Sequence, residues 1–336
     1  LMERSLFVEL VLLFVGMSVS CAAPTPTPPT ATMPQATATI QHVVEKAVGP
    51  EATQEPAAYP LSEPGPYHVG VRSFTSEDAS RDGRQVGIRV WYPALWPEDA
   101  AARRTLAKAE PDRSGAPYPL IVSSAKMGSD LAPYVVRHGF VWAGVTRIDT
   151  YPQMNNQMID QPLDLLFALD QVASHPPEEL AGMIDADHAG AIGYSFDGYN
   201  ALALSGARID PEYYQAQCPN PDPTMEAILS GPYEGAFTCR PVPTWEEFAT
   251  HAGEAITASE DGLWQPMTDE RIRAVMPMAG EGWWLFGERG LAAVDRPALM
   301  IVATEDELYP ENALIFKHLG TPDKGLISIV GRDHMI

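Results

Sequence analysis

The chain has 336 residues, with 44 acidic against 22 basic side chains, a formal net charge of −22 and 45% hydrophobic residues. That size and apolar content suit one large domain with a filled core plus extensions at its ends. The charge repels nucleic acid and anionic headgroups, which excludes nucleic-acid recognition as a main role.

The N-terminal segment reads as a targeting signal. Arg4 precedes an apolar run from Leu10 to Val19, then Ser20, Cys21, Ala22 and Ala23. Such a run matches a signal-peptide core and is short for a bilayer span. No apolar run of roughly 18 residues, the length a spanning helix needs, follows it. Small residues around one cysteine resemble a bacterial lipoprotein signal over 1–21, which implies lipidation of Cys21. Glu9 and Ser18 depart from that pattern, and cleavage after Ala23 is the competing reading. Either way the expectation is an extracytoplasmic protein, lipid-anchored at the cell surface or secreted, touching a membrane only through its anchor. In an oxidising compartment Cys218 and Cys239 could form a disulfide or remain buried thiols.

Residues 22–66 hold ten prolines among Thr, Ala and Glu. Proline fixes φ and removes donors, and little apolar surface is present to bury, so this stretch reads as a disordered tether. From Tyr67 the pattern becomes globular. Tyr67–Ser73 and Gln85–Tyr92 read as strands joined by a polar turn. Tyr118–Ser123 is a buried strand, Ser129–His138 a helix ending at Gly139, and Phe140–Val145 a strand. Gln161–Ser174 has helical apolar spacing. Ala189–Gly193 is a strand and Phe196–Gly206 a helix. Ile272–Met278, Ala298–Ala303 and Leu326–Val330 are strands, with a helix over Glu311–Leu319. This alternation predicts an α/β fold over 67–336, a mainly parallel sheet with helices on both faces. Residues 209–270 interrupt it with twelve acidic residues against Arg240 alone, together with many aromatic residues. They read as an acidic insertion after the helix, either a cap over the site or a surface excursion.

Gly193-Tyr194-Ser195-Phe196-Asp197-Gly198 lies between a strand and a helix. That is the context of a nucleophile elbow, where a sharp turn lifts the serine above the sheet. The bland alternative is a helix N-cap serine. A serine nucleophile needs a base, and the partners in such folds follow in the order serine, acid, histidine. Of the histidines after Ser195, His251 lies in the insertion and His318 on a helix. His334 sits in the loop after the last strand and is the best base. Asp306, in the loop after Ala298–Ala303, is the best acid, with Glu281 and Glu305 as alternatives. Each acid could equally be a solvated loop residue. The backbone N–H of Phe196 is placed for an oxyanion hole, and the loop after Tyr118–Ser123 should supply a second, assigned to Met127 with Lys126 next. Trp283 and Trp284 either wall a substrate site or pack in the core.

Several stretches resemble a known family: Gly65-Pro66-Tyr67 to Trp91-Tyr92-Pro93, Arg147-Ile148-Asp149-Thr150-Tyr151, Gly193–Tyr199 and Arg271–Val275. They are similar to bacterial predicted dienelactone hydrolases and the platelet-activating factor acetylhydrolase-like group. The resemblance spans about 66–336 and implies the α/β-hydrolase fold. It also implies hydrolysis of carboxylic esters without cofactor or metal, with Ser195 as nucleophile and His334 as base. Members place the acid after either of two adjacent strands, which keeps Glu281 beside Asp306. The family usually carries His at 194 and Gly at 197, and often His-Gly at 125–126. This chain has Tyr194, Asp197, Ala125 and Lys126.

The leading expectation is therefore a serine esterase acting on small or neutral esters through an acyl-enzyme. A polyester or cutinase-like hydrolase is the nearby alternative, so the expected partner is a small-molecule or polymeric ester. Cleavage of amides, or a non-catalytic cell-surface binding protein on a hydrolase scaffold, are the readings from other classes.

Overall fold

Long β-branched and aromatic runs in the first third of the domain form the strands that start the sheet. In the computed structural model, residues 63–97, 104–148, 155–217 and 244–335 are described. The signal segment with Cys21, nearly all of the tether, and both Cys218 and Cys239 lie outside those residues. Strands β1 (His68–Asp78) and β2 (Arg84–Ala94) pair antiparallel over their whole length. A two-residue strand, β3 (Leu106–Ala107), lies along the outer side of β1. Then come β4 (Tyr118–Ser124), β5 (Val141–Val145), β6 (Ile184–Tyr194), β7 (Ile272–Met278), β8 (Ala298–Ala303) and β9 (Lys324–Ile329).

The sheet order is β3-β1-β2-β5-β4-β6-β7-β8-β9. β2 runs antiparallel to β5, and from β5 to β9 every neighbouring pair is parallel. The chain moves from β4 outward to β5 and then crosses back to β6. The loops after β4 and β6 therefore diverge at a topological switch point, where such sheets open a crevice for ligands.

Helix α1 (Ala125–Val135) covers one face, packing with Trp91, Ile121 and Trp142. Helices α2 (Gln157–Ser174) and α3 (Phe196–Leu204) cover the other, over Leu120, Val122 and Ala191. Helix α1 begins four residues earlier than its apolar spacing predicts. Ser124, extended at φ −75° and ψ 153°, caps it by accepting the Met127 N–H, as serine does at helix starts. Helix α2 likewise begins at Gln157, ahead of the expected Gln161, although Pro162 lies inside it. Proline leaves the carbonyl four residues back without its helical donor. That carbonyl belongs to Met158, and the buried Tyr199 hydroxyl donates to it at 2.9 Å.

The described parts of 209–270 form three short helices, α4 (Pro211–Gln217), α5 (Trp245–Ala252) and α6 (Glu254–Thr257). Thr244 and Glu247 close a capping box at the start of α5. The described aromatic residues Tyr214, Trp245, Phe248 and Trp264 pack on one another. Trp245 stacks on Tyr214 at 4.8 Å, and Phe248 on Trp264 at 5.6 Å. His251 bonds Asp160 on α2 at 2.9 Å, beside Arg84, which grips Asp164 with two nitrogens at 2.8 and 2.9 Å. The remaining helices are α7 (Trp283–Ala292) and α8 (Tyr309–His318). No helix among the described residues is long and apolar enough to cross a membrane.

Candidate functional site

Ser195 stands at the junction of β6 and α3 with φ 58° and ψ −124°, a conformation that side chains other than glycine's rarely adopt. Its N–H bonds the Met278 carbonyl at 2.8 Å, which pins the turn to β7. Two glycines make the turn sterically feasible. A Cβ at Gly193 would lie 1.8 Å from the Asp197 carbonyl oxygen, and one at Gly198 would lie 2.4 Å from the Gly280 Cα. Gly198 is thus the position at which the helix meets the loop after β7. This strained turn between a parallel strand and a helix, at the switch point of a sheet in this order, defines the α/β-hydrolase fold.

The structure brings together three side chains from the ends of three parallel strands. His334 Nε2 lies 2.9 Å from Ser195 Oγ, and His334 Nδ1 lies 3.0 Å from Asp306 Oδ2. With Nδ1 protonated towards Asp306, Nε2 turns its lone pair to the serine hydroxyl. The Asp306 side chain is fully buried, and its Oδ1 accepts the Leu308 N–H at 2.9 Å. The hydrogen bond to Asp306 raises the His334 pKa above its ordinary value against the opposing effect of burial, helped by the charges of Asp306, Glu307 and Asp333. A hydroxyl, an imidazole and a buried carboxylate in this geometry can move a proton off the hydroxyl.

Glu281 is also buried, but among the described residues no hydrogen bond joins it to His334. Burial raises its pKa well above the usual carboxylate value, and the nearby Glu311 and Asp306 push it further. Glu311, in α8, accepts the N–H groups of Gly282 and Trp283 at 2.9 and 3.0 Å, and burial raises it to about 7. Asn312 accepts the Gly280 N–H and returns a bond to its carbonyl. These two α8 residues fix the loop after β7, and neither is visible as a site residue from sequence pattern alone.

Two expectations need correction. The Met127 N–H is not open to a ligand, because it donates to the capping Ser124 hydroxyl at 3.1 Å. Lys126, one residue earlier in the first turn of α1, has no partner within the helix for its N–H, as is general for that turn. Trp283 and Trp284 are buried packing residues rather than an open wall. Trp283 meets Tyr213 edge-on at 5.9 Å and lies 5.1 Å from the His318 ring, and Trp284 lies 6.3 Å from Tyr214. Phe196 begins α3, directly after Ser195.

From sequence, Tyr194 and Asp197 stand out only as departures from a family pattern. In the structure both belong to the site. Tyr194 stacks on the His334 ring at 5.2 Å and donates its hydroxyl to the His334 carbonyl. Asp197 is buried and accepts hydrogen bonds from the Ser124 hydroxyl and from Asn200 Nδ2, the second at 3.2 Å. Asn200 in turn donates to Gln161 Oε1 at 2.8 Å. A polar chain therefore ties the turn bearing Ser195 to the start of α1.

Burial lifts the Asp197 pKa to about 6, against the pull of the Ser124 and Asn200 hydrogen bonds and the Lys126 charge. A pKa raised on folding contributes stability at low pH that is lost as pH climbs from the unfolded value through about 6. Asp197→Asn keeps the acceptor for Ser124 and removes that titration. Thermal unfolding at pH 5 and pH 8 should show the wild type losing more stability than the variant on going to pH 8, by on the order of 1–1.5 kcal/mol. Equal losses in both proteins would show that Asp197 titrates as an ordinary exposed carboxylate.

No protein-family model and no curated protein matches the chain. Among solved structures, the zinc-bound form of a cold-adapted esterase from an Arctic intertidal metagenomic library is similar, with a TM-score of 0.41 and 16% identity. The match covers 80% of this chain and 86% of that one. The native form of that esterase gives 0.42 and 16%, over 79% and 85%. The fold assignment rests on the strand order and the turn at Ser195.

Proposed function

We propose that the protein is a serine hydrolase that cleaves carboxylic esters through an acyl-enzyme. The observation that carries this reading is the continuous chain from Ser195 Oγ through His334 to the buried Asp306. Ser195 attacks the ester carbonyl while His334 takes its proton. The backbone N–H groups of Phe196 and Lys126 hold the oxyanion. His334 then protonates the leaving alcohol, and water repeats the sequence to release the acid. The negative charge of the chain disfavours polyanionic substrates and suits small or neutral esters, polyester fragments included. Export, with anchoring through Cys21, forms part of the same proposal.

A fluorophosphonate probe reacts with activated serines and tests the reading directly. Labelling of the full chain, abolished by Ser195→Ala, together with turnover of p-nitrophenyl acetate, is the expected result. A folded protein that takes up no probe and turns over no ester from acetyl to long acyl would leave a binding protein on a hydrolase scaffold. Faster turnover of matched anilides than of esters would move the assignment to amide cleavage.

A further inference from the structure

A cavity of about 540 Å³ opens on the flank of the sheet between β1, β2, β3 and α1, and none of its lining residues belongs to the Ser195–His334–Asp306 group. Its lining combines an apolar floor of Val71, Trp91 and Pro133 with the cations Arg89, Arg104 and Lys108, and among the described residues no carboxylate lines it. That is unusual in a chain with 44 acidic and 22 basic side chains. Elsewhere several arginines pair with acids, among them Arg84 with Asp164, Arg208 with Asp261 and Arg271 with Asp269. Arg72, which also borders the cavity, is bound to Glu179 at 2.9 Å and to the Tyr92 hydroxyl at 3.1 Å.

The three other cations have only neutral partners among the described residues. Arg89 Nε donates to Ser73 Oγ at 3.2 Å, and its guanidinium lies 5.8 Å over the Trp91 ring. One Arg104 nitrogen donates to the Asp130 backbone carbonyl at 3.2 Å. Lys108 follows β3 with φ 57°, and its N–H bonds the Val71 carbonyl at 2.9 Å. A left-handed lysine held by sheet pairing is a position set by the fold rather than by a free loop, and such outliers cluster at functional sites. Three cations around one cavity repel one another, so an occupant that neutralises them is favoured. Planar guanidinium groups match carboxylate and phosphate oxygens.

We propose that this cavity binds a small organic oxyanion, its carboxylate or phosphate group held by Arg89, Arg104 and Lys108 and its apolar part laid on Trp91 and Pro133. Calorimetric titration of the full chain with benzoate, phenyl phosphate, inorganic phosphate and benzyl alcohol tests this without using turnover. Expected is saturable binding of the first two, weakened by added salt and weakened at least about tenfold in Arg89→Gln/Lys108→Gln. Because Lys108 and Arg104 are exposed, Lys108→Gln and Arg104→Gln alone serve where the double variant loses its fold. Absence of saturable binding, affinity unchanged by the substitutions, or equal affinity for benzyl alcohol would overturn the proposal. Equal affinity for inorganic and phenyl phosphate would overturn its organic part. Benzoate that inhibits ester hydrolysis competitively and binds the Gln variants as well as wild type would place the anion at Ser195 instead. The binding result stands or falls whether or not the protein hydrolyses esters.

Discussion

Replacing Ser195 by alanine is expected to lower kcat for p-nitrophenyl acetate by about a millionfold, with KM changed little and the fold intact. His334→Ala should cost a similar factor, and the double variant little more than either alone, because the two groups act as one unit in the attack. The geometry gives the reason. Ser195 Oγ has its hydrogen-bond partner in His334 Nε2 at 2.9 Å, and a neutral hydroxyl attacks poorly without that base. Either substitution leaves the backbone of the turn in place, since the constraint comes from Gly193 and Gly198 and from the Ser195 N–H bond to Met278. Residual activity above the buffer rate would then report the oxyanion donors and substrate binding alone. A Ser195→Ala loss of only about tenfold, or losses that multiply in the double variant, would mean that the two residues do not share one transition state.

How much of this is legible in the sequence varies from residue to residue for physical reasons. β6, β7 and β8 carry apolar runs that no exposed segment could tolerate, so the strands of the parallel sheet can be read from composition. The elbow can be read because its steric demand falls on residue type: only Gly avoids the 1.8 Å approach at position 193. The order of Ser195, Asp306 and His334 along the chain follows from strand ends. What cannot be read is the hydrogen bonding of particular groups. Ser124 at the end of a strand is a signal for a helix cap, and following it moves α1 forward and takes the Met127 N–H out of consideration. Helix α7 escapes a reading by periodicity because Gly287, at φ 56°, interrupts it and its apolar residues occur all round. The partners of Asp197 come from α1's cap, α3 and, through Asn200, α2, a convergence only the folded chain creates.

Two buried acids, Asp306 and Glu281, are the candidates for orienting His334, and their substitution should separate them sharply. Asp306→Asn is expected to reduce kcat by about ten thousandfold, because the amide no longer holds the imidazole in the tautomer that faces Ser195 with a lone pair. Glu281→Gln should leave kcat nearly unchanged. Burial and the neighbouring Glu311 and Asp306 already favour the neutral form of Glu281, so the amide preserves its charge and shape, and no hydrogen bond to the imidazole is lost among the described residues. The pH profile gives an independent reading. The Asp306 hydrogen bond raises the His334 pKa, so the acid limb of kcat/KM in the wild type should lie above the ordinary histidine value of about 6.5. Below that limb His334 is already protonated and cannot accept the serine proton. In Asp306→Asn the limb should move to lower pH, while in Glu281→Gln it should stay close to its wild-type position. The opposite pattern, a large loss and a shifted limb on changing Glu281 with Asp306→Asn near wild type, would transfer the role of orienting the imidazole to the loop after β7.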